Sequence, residues 1–491
     1  MKLAQLTAAL VAAGLSLPVL AGTNDEVLLE KLAARLEKLE ARNAELEKEV
    51  KALKSENDKI AQGLGSPRLS EDEPDLTVRL KAVEKDTLNM KKAAKIAEGF
   101  EGVKVGASLA TVIQHANGLP ADTDGGGSQL NYRADVSVEL PLEPLGDIDH
   151  KLFAHLRLGQ GLGLNSPFSN LGNLANTPNA LAFRASGASP DDSVAILGQA
   201  WYQAAIPLPF LGFKPYARET LDLTFGKMDI FGFFDQNTVA GDESKQFLNS
   251  VFVHNPLLDA GRETGVDANG FQPGFIASYF NYVNKTEPWR LSVGVFGAGA
   301  RGANYQRSLS SPLLMVQAEK TLKLFDGLSG NYRIYGWNRS QGVDYDATTN
   351  KHTGIGASVD QRIGDGVNLF ARYGKLVKGE LPFDRAVTVG AEFSGNYWSR
   401  GADSVGIAVA GLRSGTAYRT STVTAWLDDG LTRPAFSFVP QSTEKVAEVY
   451  YRYRLSPQFE LSPSFQYLSN GGGNADAQAV KVFALRANIA Y

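Results

Sequence analysis

The sequence lacks the residues on which several classes of protein depend. It has no cysteine among its 491 residues, so it can form neither a disulfide framework nor a cysteine-ligated metal centre. It also lacks a surplus of positive charge, because its formal net charge is -4 at pH 7, whereas nucleic-acid-binding surfaces are normally basic. We therefore predict no nucleic-acid partner, and we find no motif that indicates a cofactor or a metal site.

Long hydrophobic runs are missing after the first 21 residues. Residues 1–21 themselves are typical of a secretory signal peptide, with Lys2, an apolar stretch from Leu3 to Leu20 and expected cleavage after Ala21. Because only one positive charge precedes the apolar stretch, an uncleaved anchor is the alternative. No later run reaches the roughly 18 apolar residues of a membrane helix. A mature chain that spans a membrane would have to do so as a closed β-barrel, since only helices and closed barrels pair their backbone groups there.

The stretch from Gln129 to Leu140 has apolar residues at its even positions and polar residues at its odd positions. Side chains on a strand point alternately to opposite faces, so this strand has one apolar and one charged face. The pattern recurs in sixteen candidate strands: 102–115, 129–141, 150–159, 193–206, 216–227, 274–283, 289–298, 313–323, 330–339, 353–363, 366–375, 385–395, 403–412, 444–456, 458–469 and 479–491. We predict that residues 100–491 form an all-β transmembrane barrel of about 16 antiparallel strands.

The connections between these candidate strands are alternately long and short, as in bacterial barrels with long outside loops and tight periplasmic turns. A soluble β-propeller, the main alternative, would not sort its connections in this way. Two short ones, at Gly364 to Gly366 and at Ser456-Pro457, carry turn residues. The alternation predicts that both termini lie in the periplasm of a Gram-negative-type cell. The terminal Tyr491, on a strand of the same pattern, resembles the assembly signal of outer-membrane proteins.

Residues 22–62 carry a heptad repeat that predicts a periplasmic coiled coil. Its seam positions are Leu29, Leu36, Asn43, Val50 and Asn57, and Leu32, Leu39, Leu46, Leu53 and Ile60. Three pairs of opposite charge would form in a parallel assembly: Arg35 with Glu40, Arg42 with Glu47 and Glu49 with Lys54. We predict parallel self-association, with a single charged helix as the alternative. A seam Asn favours a dimer, whereas the barrel leads us to expect three chains. Residues 63–99 are predicted to be a linker and a short amphipathic helix.

The segment from Gly226 to Gly261 resembles the signature region of OprB-type carbohydrate-selective porins. The matching motifs are Gly226-Lys227, Phe234-Asp235, Asp242-Glu243, Gln246-Phe247-Leu248 and Asn255-Pro256. The resemblance implies a sixteen-stranded, trimeric outer-membrane channel that admits sugars and whose loops fold inward to narrow the pore. Some relatives precede the barrel with a wall-binding domain and a coiled coil. Only the coiled coil is recognisable here. Residues 22–99, which we call the arm, are therefore a candidate for peptidoglycan contact and nothing more specific.

If the apolar faces meet outer-membrane lipid, the polar faces line the pore. The pore-lining set is Arg133, Asp135, Glu139, Arg157, Gln199, Trp201, Gln203, Arg333, Tyr335, Trp337, Arg372, Glu392, Glu448 and Arg452, and the inward loop adds Asp229, Asp235, Asp242 and Glu243. Charged groups exchange hydrogen bonds with sugar hydroxyls, and Trp faces pack on the C–H side of a pyranose. The alternative roles are structural: wall ion pairs that stiffen the barrel, a loop scaffold for the acids, and interfacial positions for Trp201 and Trp337.

Catalytic motifs are missing. The histidines are scattered at His115, His150, His155, His254 and His352, with no H-E-x-x-H and no G-x-S-x-G sequence. His155 lies two residues before Arg157 and on the same inward face of its predicted strand, which predicts a hydrogen-bonding role in the lumen. We predict a channel for passive, carbohydrate-preferring diffusion of small hydrophilic solutes and no enzyme activity. The alternatives are a general or anion-preferring porin, a tether between membrane and cell wall, and an outer-membrane hydrolase.

Overall fold

The computed structural model describes residues 42, 44–58, 102–119, 127–161, 163–164, 193–209, 217–259, 263–264, 266, 269–298, 310–346, 348–420 and 440–491. The chain divides into two units, residues 1–99 and 100–491. In the first unit, residues 42 and 44–58 are α-helical, as the heptad repeat requires. The predicted signal peptide, linker and second helix lie outside the described residues, and pairing of the helix with other copies stays a prediction. Within the described residues, no helix is long and apolar enough to cross a membrane.

The second unit is a closed antiparallel barrel of sixteen strands, which confirms the predicted fold of this region. The strands are β1 (Lys104–Asn117), β2 (Ser128–Pro141), β3 (Asp149–Gln160), β4 (Val194–Leu208), β5 (Glu219–Met228), β6 (Gln272–Asn281), β7 (Trp289–Phe296), β8 (Leu313–Leu324), β9 (Leu328–Val343), β10 (Thr349–Ile363), β11 (Val367–Lys378), β12 (Phe383–Ser394), β13 (Ser404–Ser414), β14 (Thr443–Arg454), β15 (Phe459–Ser469) and β16 (Val480–Ala490). Each strand pairs with its neighbours in sequence, and β1 pairs with β16 to close the cylinder. The closure extends to the last residue, where Ala107 N donates to Tyr491 O at 3.1 Å and Tyr491 N donates to Ala107 O at 2.8 Å.

The two faces of the wall differ as the alternating pattern predicts. On β2, Leu130 is 59% exposed, whereas Arg133 is 7% exposed. On β16, Phe483 is 50% exposed and Arg486 only 1%. An apolar surface therefore covers the outside of the barrel, and polar side chains face the interior.

The connections alternate in length, as predicted, except around β12, where the connection before this strand (379–382) is shorter than the one after it (395–403). Those after odd-numbered strands include residues 161–193 and 229–271, whereas those after even-numbered strands include residues 325–327 and 364–366. We call the two ends of the barrel the long-connection rim and the short-turn rim. The β9–β10 connection, predicted to span residues 340–352, is reduced to residues 344–348 because β9 and β10 continue beyond their predicted ends.

We call the connection between β5 and β6, residues 229–271, the inner loop, and its described residues fold into the barrel. Its hydrogen bonds reach wall residues on β2, β4, β7 to β11 and β14 to β16. These strands surround the cylinder, so a segment that contacts all of them must lie inside it. The sequence resemblance implies a loop that folds into the pore, and the described residues of the inner loop lie inside the barrel.

Candidate functional site

The inner loop holds its own shape through capped turns and a small apolar core. The Asp229 side chain accepts from Phe231 N at 2.9 Å and caps a short 3-10 turn, Ile230–Gly232. The Asn249 side chain accepts from Val251 N at 3.1 Å and caps the one-turn helix α1, Ser250–Val253. Such side-chain caps satisfy the free amides at the start of a helix. Buried apolar residues then pack the loop against the wall: Ile230, Phe234, Phe247, Leu248, Val251 and Phe252.

Asp235 is the main polar anchor between the inner loop and the wall. Its carboxylate accepts from Arg372 Nε at 3.0 Å, from Tyr335 OH at 2.9 Å and from Asn255 N at 2.6 Å. Its own backbone N donates to Gln317 Oε1 at 2.9 Å. The Asp235 and Arg372 side chains are 0% and 1% exposed, so each charge depends on the other for compensation. This pair joins the loop to β11.

Glu448 is a second anchor, on β14, three strands along the wall from β11. Its two carboxylate oxygens accept from Leu248 N at 2.8 Å and Asn249 N at 2.9 Å. Nearby, Arg486 Nη1 donates to the backbone oxygens of Glu243 at 2.9 Å and Gln246 at 2.7 Å. The backbone N–H and C=O groups of the loop have no strand partner here, and wall side chains supply their hydrogen bonds.

A third set of predicted pore residues also lies under the loop. Arg333 pairs with Asp360 at 2.6 Å and with Glu319 at 3.2 Å, and it is 4% exposed. Trp337 is 2% exposed and belongs to the apolar core. Asp235, Arg333, Trp337, Arg372 and Glu448 are therefore covered by protein and are not open to a solute in this conformation.

On the β2–β3 side, by contrast, charged side chains remain partly accessible. Asp135 accepts from Arg133 Nε at 2.8 Å, His155 Nε2 at 2.7 Å and Arg157 Nε at 2.7 Å. Arg133 Nη1 continues to Glu243 Oε1 of the inner loop at 2.6 Å. We call these five residues the charged gate. It spans from wall to loop, and its Asp135, Arg157 and Glu243 side chains are 17%, 16% and 20% exposed. The predicted hydrogen-bonding position of His155 agrees with this contact.

An aromatic surface lies on β3 and β4, closer than the charged gate to the short-turn rim. Phe153 and Trp201 stack with ring centroids 4.6 Å apart, and Phe233 of the inner loop meets Trp201 edge-on at 5.8 Å. Lys151 Nζ lies 5.7 Å from the Trp201 ring centroid. Gln199 accepts from both Trp201 Nε1 and Asp229 N at 3.3 Å. We call Phe153, Trp201 and Phe233 the aromatic ledge.

The other predicted pore residues occupy separate positions. Glu139 accepts from Lys104 at 2.9 Å and Lys151 at 2.7 Å near the short-turn rim. Gln203 donates to Thr224 Oγ1 at 3.0 Å. Glu392 accepts from Tyr450 OH at 2.6 Å and lies 3.5 Å from Arg452. The Asp242 carboxylate accepts from Ser244 N at 2.9 Å, and its side chain is 42% exposed.

Sequence reasoning missed several residues beside this site. Phe153 has the same parity as Lys151, His155 and Arg157, and an aromatic residue on a polar face was the signal that could have revealed it. His254 stacks on Phe231 at 3.7 Å and contacts Asp259 at 3.0 Å. Burial alone would lower the pKa of His254, but the hydrogen bond and charge of Asp259 raise it above the usual value. No isolated motif marks His254, because its partners come from the folded loop.

The Arg133–Glu243 bridge should survive moderate acid. Burial opposes ionisation of Glu243, but the charge of Arg133 outweighs the effect of burial and lowers the pKa of Glu243 to about 2. Since this lies below the ordinary glutamate value of about 4.3, the bridge is lost only as pH falls through about 2. We expect the difference in reversal potential between the unmodified channel and Glu243→Gln to be the same at pH ~7 and ~4. A difference that disappears at pH ~4 would contradict this assignment.

Comparison with known proteins agrees with the geometry. A sequence model described as "Carbohydrate-selective porin, OprB family" matches residues 106–491. The high-pH structure of Pseudomonas putida OprB superposes with a TM-score of 0.63 at 17% identity, over 79% of this chain and 94% of that chain. The outer-membrane channel DcaP of Acinetobacter baumannii aligns with a TM-score of 0.43 at 11% identity, over 79% and 97% of the two chains. Only the first superposition is close enough to support the fold. No curated protein sequence matches the chain.

Proposed function

The chain belongs to the OprB family of carbohydrate-selective porins, and from this premise we propose that sugars cross its barrel past the charged gate and the aromatic ledge. Membership of the family makes the protein an outer-membrane channel for carbohydrate diffusion. The proposed route follows the side of the lumen formed by β2 to β4, where the inner loop leaves charged and aromatic side chains partly exposed. No catalytic role is proposed for any residue.

The observation that carries this route is the mixed charge of the gate. Asp135 and Glu243 accept hydrogen bonds, and Arg133 and Arg157 donate them, all within one contact network. A sugar hydroxyl both donates and accepts, so it can exchange with either kind of group. The opposite charges also compensate one another, which favours a neutral polyhydroxyl solute over a free anion.

The aromatic ledge adds an apolar contact on the same side of the lumen. The C–H face of a pyranose can pack on an aromatic ring, and we expect a contribution similar to that of an aromatic pair, about 0.5–1.5 kcal/mol. A contribution of this size suits a channel, because conduction requires a solute to leave its site as readily as it enters. The Trp201 ring is positioned for this contact by Phe153 and by its hydrogen bond to Gln199.

Assembly and orientation complete the proposal. We propose that three copies associate and that the arm formed by residues 22–99 extends into the periplasm, where it is a candidate for peptidoglycan contact. The heptad repeat supports association, and the alternation of long and short connections supports the orientation. The general or anion-preferring porin remains the competing assignment for the channel.

Planar-bilayer recordings with added sugars test the route. Glucose-sized sugars should reduce the ion current through the unmodified channel. Trp201→Ala should raise the half-blocking sugar concentration by about fivefold, which corresponds to a lost contact of ~1 kcal/mol, with little change in conductance. Trp289→Ala is the matched control, since Trp289 is 40% exposed on the outer wall. A channel that no sugar blocks, or equal effects of the two replacements, would refute the route. A strong anion preference without sugar block would favour the competing assignment.

A further inference from the structure

A fully buried histidine joins Glu263 and its neighbour Thr264, which we call the distal part of the inner loop, to the barrel wall. His352 lies near the long-connection end of β10 and is 0% exposed. Its Nδ1 is 2.6 Å from Glu263 Oε1 of the inner loop, and its Nε2 is 2.8 Å from Asp344 Oδ1 of the β9–β10 connection. Both carboxylate side chains are 1% exposed. The imidazole is therefore enclosed between two acids on different segments.

The contacts of both ring nitrogens define the protonation state that fits this arrangement. An ionised carboxylate only accepts hydrogen bonds, and a neutral imidazole has one N–H donor. Where both acids are ionised, two such contacts on one ring require the doubly protonated imidazolium. Asp344 is ionised here, because hydrogen bonds from Asn350, Glu380 N and His352 outweigh the effect of burial and lower its pKa. With Asp344 charged, a proton on each ring nitrogen completes both bonds.

The surrounding elements add one more charge and leave little space. Arg339 of β9 is the cross-strand partner of His352, and its Nη1 donates to Glu263 O at 3.4 Å, so the groups that face the imidazole are two carboxylates and one guanidinium. The β11–β12 connection contributes Gly379 and the backbone N of Glu380, which donates to Asp344 at 2.7 Å. A Cβ placed on Gly342 would approach the His352 ring to 2.2 Å, so the wall is fitted to this side chain. The histidine cannot turn away without local opening.

We propose that His352 is a positioning residue of the channel, whose imidazolium holds the distal part of the inner loop on the wall through Glu263, and that loss of its proton releases this part. The direction of the pH dependence follows from the two N–H donors of the imidazolium. The latch is complete below the imidazole titration and weakens as pH rises through it, because a neutral ring leaves one carboxylate opposite a lone pair. This proton-dependent latch goes beyond sugar passage, and it acts on the loop that shapes the lumen.

The natural absence of cysteine makes the latch accessible to a labelling experiment. Thr264, beside Glu263, is 1% exposed, so the single thiol of Thr264→Cys should react with a methanethiosulfonate reagent only when the loop opens. The full-length protein in detergent or liposomes would be labelled between pH ~5 and ~9, on both sides of the ordinary histidine pKa of about 6.5. Rates are divided by those of Ala475→Cys, an exposed residue of the β15–β16 connection, to remove the pH dependence of the thiol itself.

The normalised rate in Thr264→Cys should rise above the titration midpoint by up to about tenfold per pH unit, the limit for release of one proton. In the Thr264→Cys/His352→Gln background it should not change with pH. In Thr264→Cys/Glu263→Gln the rise should move to lower pH, because the imidazolium then faces one carboxylate instead of two. A flat profile in Thr264→Cys, or the same rise with His352→Gln, would overturn the proposal. Heat-modifiable mobility on a gel confirms that each barrel has folded. Since no current is measured, the result is independent of whether sugars permeate.

Discussion

Replacing Asp235 by asparagine should detach the inner loop from β11 and produce frequent current steps to a larger conductance. The replacement keeps the shape of the side chain and suits the backbone, because Asp235 has φ +52 and Asn tolerates this region. It removes the charge that compensates Arg372, whose side chain is 1% exposed. Breaking a buried ion pair on one side typically costs about 3–5 kcal/mol. Undocked states of the loop should therefore become at least about a hundredfold more populated.

Single-channel recording measures this effect directly, and thermal unfolding of the barrel shows whether the damage stays local. Asp365→Asn is the matched control, because Asp365 lies in the exposed β10–β11 turn and the same chemical change there leaves the loop untouched. The anchor assignment is wrong if Asp235→Asn conducts as the unmodified channel does. Loss of the folded barrel would place the role of Asp235 in the stability of the whole wall. The steps predicted here require a barrel that still shows heat-modifiable mobility.

Replacing Asp135 by asparagine should turn the charged gate toward anions. Asp135 is the shared acceptor for Arg133, His155 and Arg157, at 2.7–2.8 Å. Its loss leaves two guanidinium groups with Glu243 as their remaining partner in the gate. A unit charge at ~4 Å contributes about 1 kcal/mol even in water, so the ratio of anion to cation permeability should rise by at least about fivefold.

Reversal potentials in a salt gradient give the permeability ratio. The compensating variant Asp135→Asn/Arg157→Gln removes one charge of each sign and should return the ratio toward that of the unmodified channel. Glu139→Gln tests position, since Glu139 lies near the short-turn rim with Lys104 and Lys151 and should have a smaller effect. If Glu139→Gln shifts the ratio as much as Asp135→Asn, the gate is not the narrow part of the route.

The barrel could be predicted from the sequence because its determinants are local. The alternation around Leu130 and Arg133 fixes which face of β2 meets lipid, and the same two-residue pattern is clear in strands such as β8 and β15. Strand ends were less predictable. β9 continues to Val343 and β10 starts at Thr349, because paired neighbours extend each other beyond the residues that show the pattern.

The contacts inside the barrel could not be predicted in the same way. Asp235 and Arg372 are 137 residues apart, and either would have read equally well as a free lumen charge. The same is true of Glu263 and His352, which are 89 residues apart. Such pairs depend on where a long connection settles, which no periodicity records. The family resemblance located the loop but not its partners on the wall.

The closure of β1 on β16 also limits how copies of this protein can adhere to one another. An open sheet presents unpaired amides on its outermost strands, and these recruit strands from other chains. Here Ala107 and Tyr491 exchange backbone hydrogen bonds, and every barrel strand has two partners. Backbone-mediated growth into fibres has no starting point while the ring stays closed. Contacts between the walls of neighbouring barrels are then made by outward side chains such as Leu130 and Phe483.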